Sequence, residues 1–166
     1  IIPGWSPSFQ TLTACGALMA ELEQFEVRYG YDASWIAKAI EIYNKTEMKR
    51  SDSEKVDRAF SNSQVVASVW FQERLIAVGR MITDFEMYSS IYDVVVDTDF
   101  QKKGLGQKIM QALIEKAPKT CIYLTSTFGN EAFYHKQGFR FHKSAMALYP
   151  ESFGRTPYLD WDRLPE

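Results

Sequence analysis

Residues 94–110 read VVVDTDFQKKGLGQKIM, and this stretch decides the fold. Valines typical of a buried strand lead into a short polar loop, and the loop leads into a pattern typical of an amphipathic helix. Gly104 and Gly106 stand where that helix begins, with lysines on either side. The first N–H groups of a helix lack partners within it, and the helix dipole adds partial positive charge there. Because glycine lets a ligand approach the backbone closely, the stretch predicts an anion site suited to phosphate.

The spacing of the glycines narrows the kind of phosphate site. A P-loop ends in Gly-Lys-Ser/Thr, and GLGQK has no such ending. A dinucleotide fingerprint requires a third glycine, and Ile109 stands in its place. The observed spacing is Q-x-x-G-x-G, at Gln101, Gly104 and Gly106. Taken alone, this spacing is also compatible with an ordinary glycine loop with solvated lysines.

The patterns on either side predict a mixed α/β chain. Apolar residues at helical spacing alternate with runs rich in β-forming residues. The predicted elements are helices over 11–29 and 33–47, a polar connection with a short helix, strands over 65–71, 75–83 and 90–96, a helix over 105–117, a strand over 121–126, a helix over 130–137 and a strand over 139–148. The strand–helix–strand unit over 90–126 predicts a parallel crossover.

Composition restricts the partners. The 166 residues carry a formal charge of −2, which argues against nucleic-acid binding. No stretch approaches the roughly 18 apolar residues of a membrane span. The first residues lack a basic segment followed by an apolar one, so we expect no secretion signal and a cytoplasmic location.

Cysteine and histidine are scarce. Cys15 and Cys121 are expected to be buried free thiols in a reducing compartment. His135 and His142 do not combine with them in any zinc spacing, so no metal is expected.

Two motifs together resemble one family. VDTDFQKKGLG resembles the Q/R-x-x-G-x-G/A signature of the GCN5-related N-acetyltransferase (GNAT) family, with Thr98 in place of the common proline. GNEAFYHKQGF, residues 129–139, resembles a later segment of that family. The resemblance covers about residues 60–148. It implies a mixed α/β (α+β) GNAT acyl-CoA acyltransferase fold, with a mostly antiparallel twisted sheet, one splayed parallel strand pair and flanking helices. It implies one domain over 1–166, with a tail over 149–166 packing on the body.

The resemblance also implies acetyl-CoA as co-substrate. Backbone N–H groups of the glycine loop would hold its diphosphate, and the exposed edge of the third strand would pair with its pantetheine arm, as an added strand does. The implied cofactor-binding residues are Val94, Val95, Val96, Gln101, Lys102, Lys103, Gly104, Leu105, Gly106, Gln107 and Asn130.

The implied reaction moves the acetyl group to a primary amine by direct attack through a tetrahedral intermediate. Tyr134 matches the family's tyrosine near the sulfur, where it would serve the leaving thiolate. A phenol has a pKa of about 10 and a thiol about 8.5, so full proton transfer runs uphill with ordinary values. Either the site lowers the pKa of Tyr134, or Tyr134 mainly donates a hydrogen bond to the thiolate.

A base must first remove the proton of the ammonium group, because an alkylammonium is almost wholly protonated at pH 7. Asp93 resembles an acidic residue of members that acetylate diamines and aminoglycosides, and it is the candidate base. Strand alternation predicts Asp93 on the face of Val95 and opposite Tyr92 and Val94. The alternative is a strand acid bonded to its neighbours. Further candidate bases are Asp84, Glu86 and Glu26.

The acceptor is expected to be a small-molecule amine. Histone-acetylating members carry a glutamate where this chain has Ser90, and Tyr29, Tyr31 and Trp35 are candidate pocket residues. The alternatives are acetylation of a protein N-terminus or lysine, and an acyl-CoA-binding sensor module without turnover. The aromatic tail would cap the site or form a homodimer contact.

Overall fold

In a computed structural model of the protein, the structure describes residues 24–160. The described residues form two units, one ending at Thr125 and the other beginning at Ser126. Strands described in the first unit are β1 (Phe25–Tyr29), β2 (Val65–Phe71), β3 (Arg74–Thr83), β4 (Tyr88–Val96) and β5 (Cys121–Tyr123). The described α-helices are α1 (Ile36–Asn44), α2 (Ser53–Ser61) and α3 (Leu105–Ile114) in the first unit, and α4 (Glu131–Lys136) in the second. Short 3-10 helices occupy Ala33–Trp35, Thr98–Phe100 and Glu151–Phe153.

The five strands form one sheet in the order β1-β2-β3-β4-β5. The first four strands pair antiparallel, whereas β4 and β5 run parallel. The parallel pair is short, because only Tyr88–Ser90 pair with Cys121–Tyr123. The predicted mixed fold and the predicted parallel strand–helix–strand unit over residues 90–126 are confirmed.

One irregularity in β4 shapes the rest of the strand. Tyr92 pairs with Arg80 and Val95 pairs with Val78, so two residues of β4 lie opposite Gly79 alone. This two-against-one register is a β-bulge, which bends the strand and disrupts the ladder locally. Asp93, the first of the two β4 residues opposite Gly79, has a φ of 54°.

Helices cover both faces of the sheet. On one face, α1 and α2 contribute to a core cluster that includes Trp35, Tyr43, Phe60, Val78 and Val95. The other face packs against α3. A Cβ added at Gly79 would lie 3.0 Å from Leu113 Cδ1 and 3.1 Å from Val94 Cγ2, so α3 approaches the backbone of β3 closely. The helix that follows the glycine loop is therefore fixed by tight packing on the sheet.

Local chemistry explains where two helical segments begin. The Asp32 side chain accepts from Ser34 N at the start of the 3-10 helix that precedes α1. Asp52 accepts from Lys55 N over 2.9 Å at the start of α2. Both are side-chain N-caps, which typically contribute about 1 kcal/mol.

Three sequence expectations were wrong. Residues 25–29 form β1 instead of ending a helix, because FEVRY pairs with β2 from Phe25↔Phe71 to Tyr29↔Ala67 and tertiary pairing overrides the local pattern. Residues 11–23 of that expected helix lie outside the described part. Residues 139–148 form no strand, since no described strand pairs with them. Cys121 is exposed on the short β5, whereas Cys15 lies outside the described part.

The expected single domain over residues 1–166, with a tail packed on the body, stays a prediction. Within residues 24–160, no helix combines the length and the apolar character needed to cross a membrane.

Candidate active site

The loop between β4 and α3 is built in three short steps. Asp97 ends the strand and caps the 3-10 helix Thr98–Phe100, its carboxylate accepting from Asp99 N over 3.1 Å. Gln101 then folds back, and its side-chain amide donates to Val96 O over 3.2 Å. Gly104 follows with a φ of 80° as the N-cap of α3. Each step turns the backbone, so the predicted loop lies directly between the end of β4 and the start of α3.

The backbone of this loop fits an anion. Lys102 and Gly104 both have positive φ, and turns of this kind direct neighbouring N–H groups into one concavity. The first hydrogen bond of α3 runs from Lys108 N to Gly104 O over 3.0 Å. The N–H groups of residues 105–107 precede that bond and lack acceptors within the helix. Together with the helix dipole, these donors suit a diphosphate.

Asp97 anchors the start of the loop. Its side chain is 4% exposed, and it accepts from Lys45 Nζ over 3.0 Å and from Arg74 Nη2 over 2.9 Å. Burial by itself raises the pKa of Asp97, but the Asp99 N–H and the two cations outweigh burial and hold the pKa below its ordinary value. The sequence interpretation missed this residue. The only local signal for this role is an acidic residue between a buried strand and a loop. Its partners, Lys45 directly after α1 and Arg74 of β3, are distant in sequence.

The edge of β4 fits the predicted pantetheine contact. Pairing of β4 with β5 stops at Ser90↔Tyr123, and no described strand continues along that side from Ile91 to Val96. The Val95 side chain is buried in the core, whereas Val94 and Val96 are half-buried. The strand is thus held by its side chains while part of its backbone edge stays available to an extended ligand.

Asp93 is closely bound by two arginines. Its Oδ2 accepts from Arg80 Nε over 2.6 Å, and its Oδ1 accepts from Arg50 Nη2 over 2.6 Å. This arrangement matches the alternative interpretation of a strand acid bonded to its neighbours, while the role of Asp93 as base stays a prediction. The expected opposition to Tyr92 is wrong. The Arg80 guanidinium lies 5.1 Å from the Tyr92 ring and also binds Asp93, because the bulge brings both residues to one face.

The further candidate bases differ in their surroundings. Asp84 accepts backbone N–H bonds from residues 86–88, and these bonds lower its pKa. Glu26 lies on β1 instead of a helix, and a hydrogen bond from Arg28 lowers its pKa. Glu86 is exposed in the β3–β4 connection. Asp84 therefore has a turn-forming role already.

The candidate pocket residues divide between core and surface. Trp35 is buried, with its ring 5.7 Å from that of Phe60, so core packing explains it. Tyr31 donates to Asp57 Oδ1, and this hydrogen bond raises the pKa of Tyr31 to about 12. Tyr29 is 45% exposed under the Lys116 ammonium group.

The second unit holds the two remaining site candidates. Asn130 is the N-cap residue of α4, and its side-chain amide donates to Thr127 Oγ1 over 2.7 Å. Tyr134 is half-buried on α4, with its ring 5.0 Å from that of Phe133 and 6.2 Å from that of Phe139. Burial raises the pKa of Tyr134. This direction favours a neutral phenol that donates a hydrogen bond over a tyrosine with a lowered pKa. Within residues 24–160, no group of three His, Cys, Asp or Glu side chains is arranged to hold a metal ion.

Comparisons with known proteins agree with this geometry. The family model described as "Acetyltransferase (GNAT) family" matches residues 31–139, more than half of the chain. The "Uncharacterized N-acetyltransferase ycf52" of Gracilaria tenuistipitata var. liui is 32% identical over 97 residues, covering 54% of this chain and 53% of its own length. The "Histone acetyltransferase TAP1" of Glycine max is 29% identical over 110 residues, covering 58% and 48%. The chain spans about half the length of these curated relatives.

A solved structure shares the fold. Glucosamine-6-phosphate N-acetyltransferase from Arabidopsis thaliana superposes with a TM-score of 0.60 at 22% identity, covering 75% of this chain and 97% of that chain. The sheet with one short parallel pair and a glycine loop leading into α3 is the arrangement of the GNAT fold. The chain belongs to the acetyltransferase (GNAT) family.

Proposed function

We propose that the protein is an N-acetyltransferase that moves the acetyl group of acetyl-CoA to a primary amine of a small molecule. The observation that carries the proposal is the loop at the start of α3, where Gly104 is the N-cap at a φ of 80° and the first helical N–H groups lack acceptors within the helix. The family match supports it. Bound acetyl-CoA would supply a thioester-activated acetyl group; all other steps depend on residues of this chain.

Binding is assigned to two neighbouring parts of the first unit. The N–H groups of residues 101–107 hold the diphosphate, and Lys102 adds positive charge from the surface. The backbone of Val94–Val96 pairs with the pantetheine arm. Asn130 is assigned a contact with the same arm. Because the loop and the strand edge are continuous in sequence, a ligand held at both places is oriented along β4.

Proton handling is assigned to side chains. The amine must lose a proton before it attacks, and the thiolate that leaves must be stabilised. Each oxygen of Asp93 already accepts a hydrogen bond from an arginine, and this favours the bonded acid over the base. Tyr134 is assigned to the thiolate as a hydrogen-bond donor. Burial raises its pKa, so the phenol stays protonated and the donor is present throughout the neutral range.

The alternative to a small-molecule acceptor is an amine of a protein. The relative from Glycine max named as a histone acetyltransferase favours a protein acceptor. Against a histone acceptor, Ser90 occupies the position where histone-acetylating members carry a glutamate, and a serine hydroxyl cannot act as a carboxylate base. We therefore propose a small-molecule amine as the acceptor and keep a protein amine as the second candidate.

The test combines binding with turnover. CoA is titrated by calorimetry, and thiol release from acetyl-CoA is followed with a panel of diamines, amino sugars, aminoglycosides and histone peptides. Micromolar binding with release for one small-amine class supports the proposal. Release only with peptides supports the protein acceptor, and binding without release for every acceptor supports a sensor.

Two glycine variants distinguish an effect of the loop on CoA binding from a general loss of stability. Gly104→Ala forces a side chain into a φ of 80° and is expected to weaken CoA binding about tenfold. Gly30→Ala is the matched control, since Gly30 also has a positive φ, 99°, with no atom within 4 Å of the added Cβ. It should lose a similar stability and keep its CoA affinity.

Tyr134→Phe should lower the maximal rate more than the affinity for CoA, and unchanged turnover would contradict its assignment.

A further inference from the structure

Three side chains from separate parts of the first unit converge on Asp93. Arg80 comes from β3, Arg50 from the connection between α1 and α2, and Tyr43 from α1. The two arginines bind the two carboxylate oxygens, each over 2.6 Å. The Tyr43 hydroxyl donates to the backbone carbonyl of Asp93 over 2.7 Å. Both the side chain and the backbone of one residue are therefore held from outside β4.

Asp93 stands at the point where β4 departs from regular geometry. Its φ of 54° lies in the left-handed region, which glycine favours and which aspartate tolerates better than most residues. Glycine is the usual residue at this position of a bulge with a left-handed first residue. The aspartate is therefore held in a strained conformation, and its external bonds are the contacts that maintain it.

The arginines are themselves fixed. Arg80 also donates to Ser63 Oγ over 3.2 Å, and its side chain is 14% exposed. Arg50 also donates to Met48 O over 2.8 Å, and its side chain is 39% exposed. A carboxylate held by two tethered guanidinium groups has one position and one orientation, since every strong bond in the cluster is directional.

We propose that Asp93 is a positioning residue, which through Arg50, Arg80 and Tyr43 fixes the β4 bulge and with it the backbone of Val94–Val96. This inference rests on the proposed function, because that function assigns the same backbone to the pantetheine arm. The bulge determines the direction of the β4 residues that directly follow it. A bulge that relaxes therefore displaces the strand edge that receives the cofactor. Displacement of a binding edge by a fraction of an ångström weakens binding without removing any group that contacts the ligand.

A positioning role and a base role predict opposite kinetics. Asp93→Asn keeps the size of the side chain and its tolerance of the left-handed conformation but removes the charge that holds the arginines. For a positioning residue, we expect CoA affinity and the KM for acetyl-CoA to worsen about tenfold, with kcat and its pH profile nearly unchanged. For a base, kcat should fall by about a hundredfold or more and recover at high pH, with CoA affinity unchanged. The second pattern would overturn the proposal.

A second pair of variants keeps the test informative if Asp93→Asn folds poorly. Arg50→Met removes the more exposed arginine and should reproduce part of the loss in CoA affinity. Asp93→Gly relaxes the strain at φ 54° but loses the carboxylate, and the same loss of affinity is expected. Full CoA affinity in the folded Asp93→Gly protein would show that the carboxylate does not position the edge.

The control removes an ion pair elsewhere. Glu54→Gln eliminates the exposed pair with Arg58 on α2, whose side chains are 85% and 62% exposed, and should leave CoA binding unchanged. The failures are distinguishable. If the wild-type protein binds no CoA, the proposed function fails; if wild type binds CoA and Asp93→Asn binds it equally well, this inference fails alone.

Discussion

Two carboxylates bracket the edge of β4, and they are held in different ways. Asp93 precedes Val94–Val96 and binds Arg50 and Arg80, whereas Asp97 follows them and binds Lys45 and Arg74. Each carboxylate thus has two cationic partners from other elements. The two clamps, named here the bulge clamp at Asp93 and the loop clamp at Asp97, hold the strand edge from both ends.

The difference lies in how much of each clamp is local. Asp97 also accepts from Asp99 N two residues on, so the loop clamp includes a helix cap that the chain can form by itself. The bulge clamp includes the Tyr43 bond to the Asp93 carbonyl and depends wholly on distant elements. The loop therefore has a conformation partly specified by its own residues, while the bulge is specified by tertiary contacts.

Solvent exposure separates the clamps further. The side chains of Lys45 and Arg74 are 41% and 51% exposed, whereas that of Arg80 is 14% exposed. Water and salt therefore screen both cations of the loop clamp but only Arg50 of the bulge clamp, whose side chain is 39% exposed. Loss of a carboxylate leaves well-solvated cations at the loop but a poorly solvated arginine at the bulge.

The largest effect is expected for Asp97→Ala. The carboxylate is buried and accepts from two cations and one backbone N–H, so its loss should lower the free energy of unfolding by about 3 kcal/mol, the low end for a broken buried pair because the cations are half-exposed. Chemical denaturation measures it. Asp99→Ala is the control: it removes a 64% exposed carboxylate 3.4 Å from the same cations and should cost no more than about 0.5 kcal/mol. Equal losses in both variants would remove the distinction.

The next effect compares the two arginines of the bulge clamp. Arg80→Met should cost about 2 kcal/mol and Arg50→Met about 1 kcal/mol, because Arg80 is the more buried partner of the same carboxylate. Since both act on Asp93, the double variant should lose less than the sum. Additive losses would indicate that the arginines act independently.

A smaller effect is expected for Tyr43→Phe. It removes the hydroxyl that donates to the Asp93 carbonyl and leaves the buried ring in place, so the loss should be about 1 kcal/mol. Amide exchange in β4 should accelerate around residues 92–94 more than in β2. Unchanged exchange there would show that the bond does not hold the bulge.

The smallest effect concerns pH. The folded-state pKa of Asp97 lies below its ordinary value of 3.8, so the unfolded state binds more protons as the pH falls. The contribution of Asp97 is therefore fully present above the ordinary pKa and is lost as the pH falls through the lower folded value. The stability difference between wild type and Asp97→Asn should be constant from pH 8 to about 5 and shrink at lower pH. A difference that shrinks near neutral pH would contradict the assignment.

The sequence predicted the elements whose specification is local. The glycine loop, α3 and the parallel unit follow from residue pattern, and Gly104 stands at a φ of 80° where only glycine is comfortable. These features are readable because the residues that define them are neighbours in the chain.

The incorrect predictions share one cause, which is contact between residues that are distant in sequence. Strand alternation placed Tyr92 opposite Asp93, but the bulge adds one residue, and no local sequence signal marks it because an aspartate stands where glycine is usual. The pairing of β1 with β2 overrode a helical pattern over residues 25–29. The arginine partners of Asp93 lie 43 and 13 residues away, so the sequence alone left base and bonded acid equally open.

The most direct measurement is amide hydrogen exchange of the wild-type protein with and without CoA. CoA is expected to protect the amides of residues 101–107 and 94–96, because these groups are assigned to the diphosphate and the pantetheine arm. Protection confined to other residues, or no protection at CoA concentrations that saturate related enzymes, would contradict the assignment of the cofactor to this loop and strand edge.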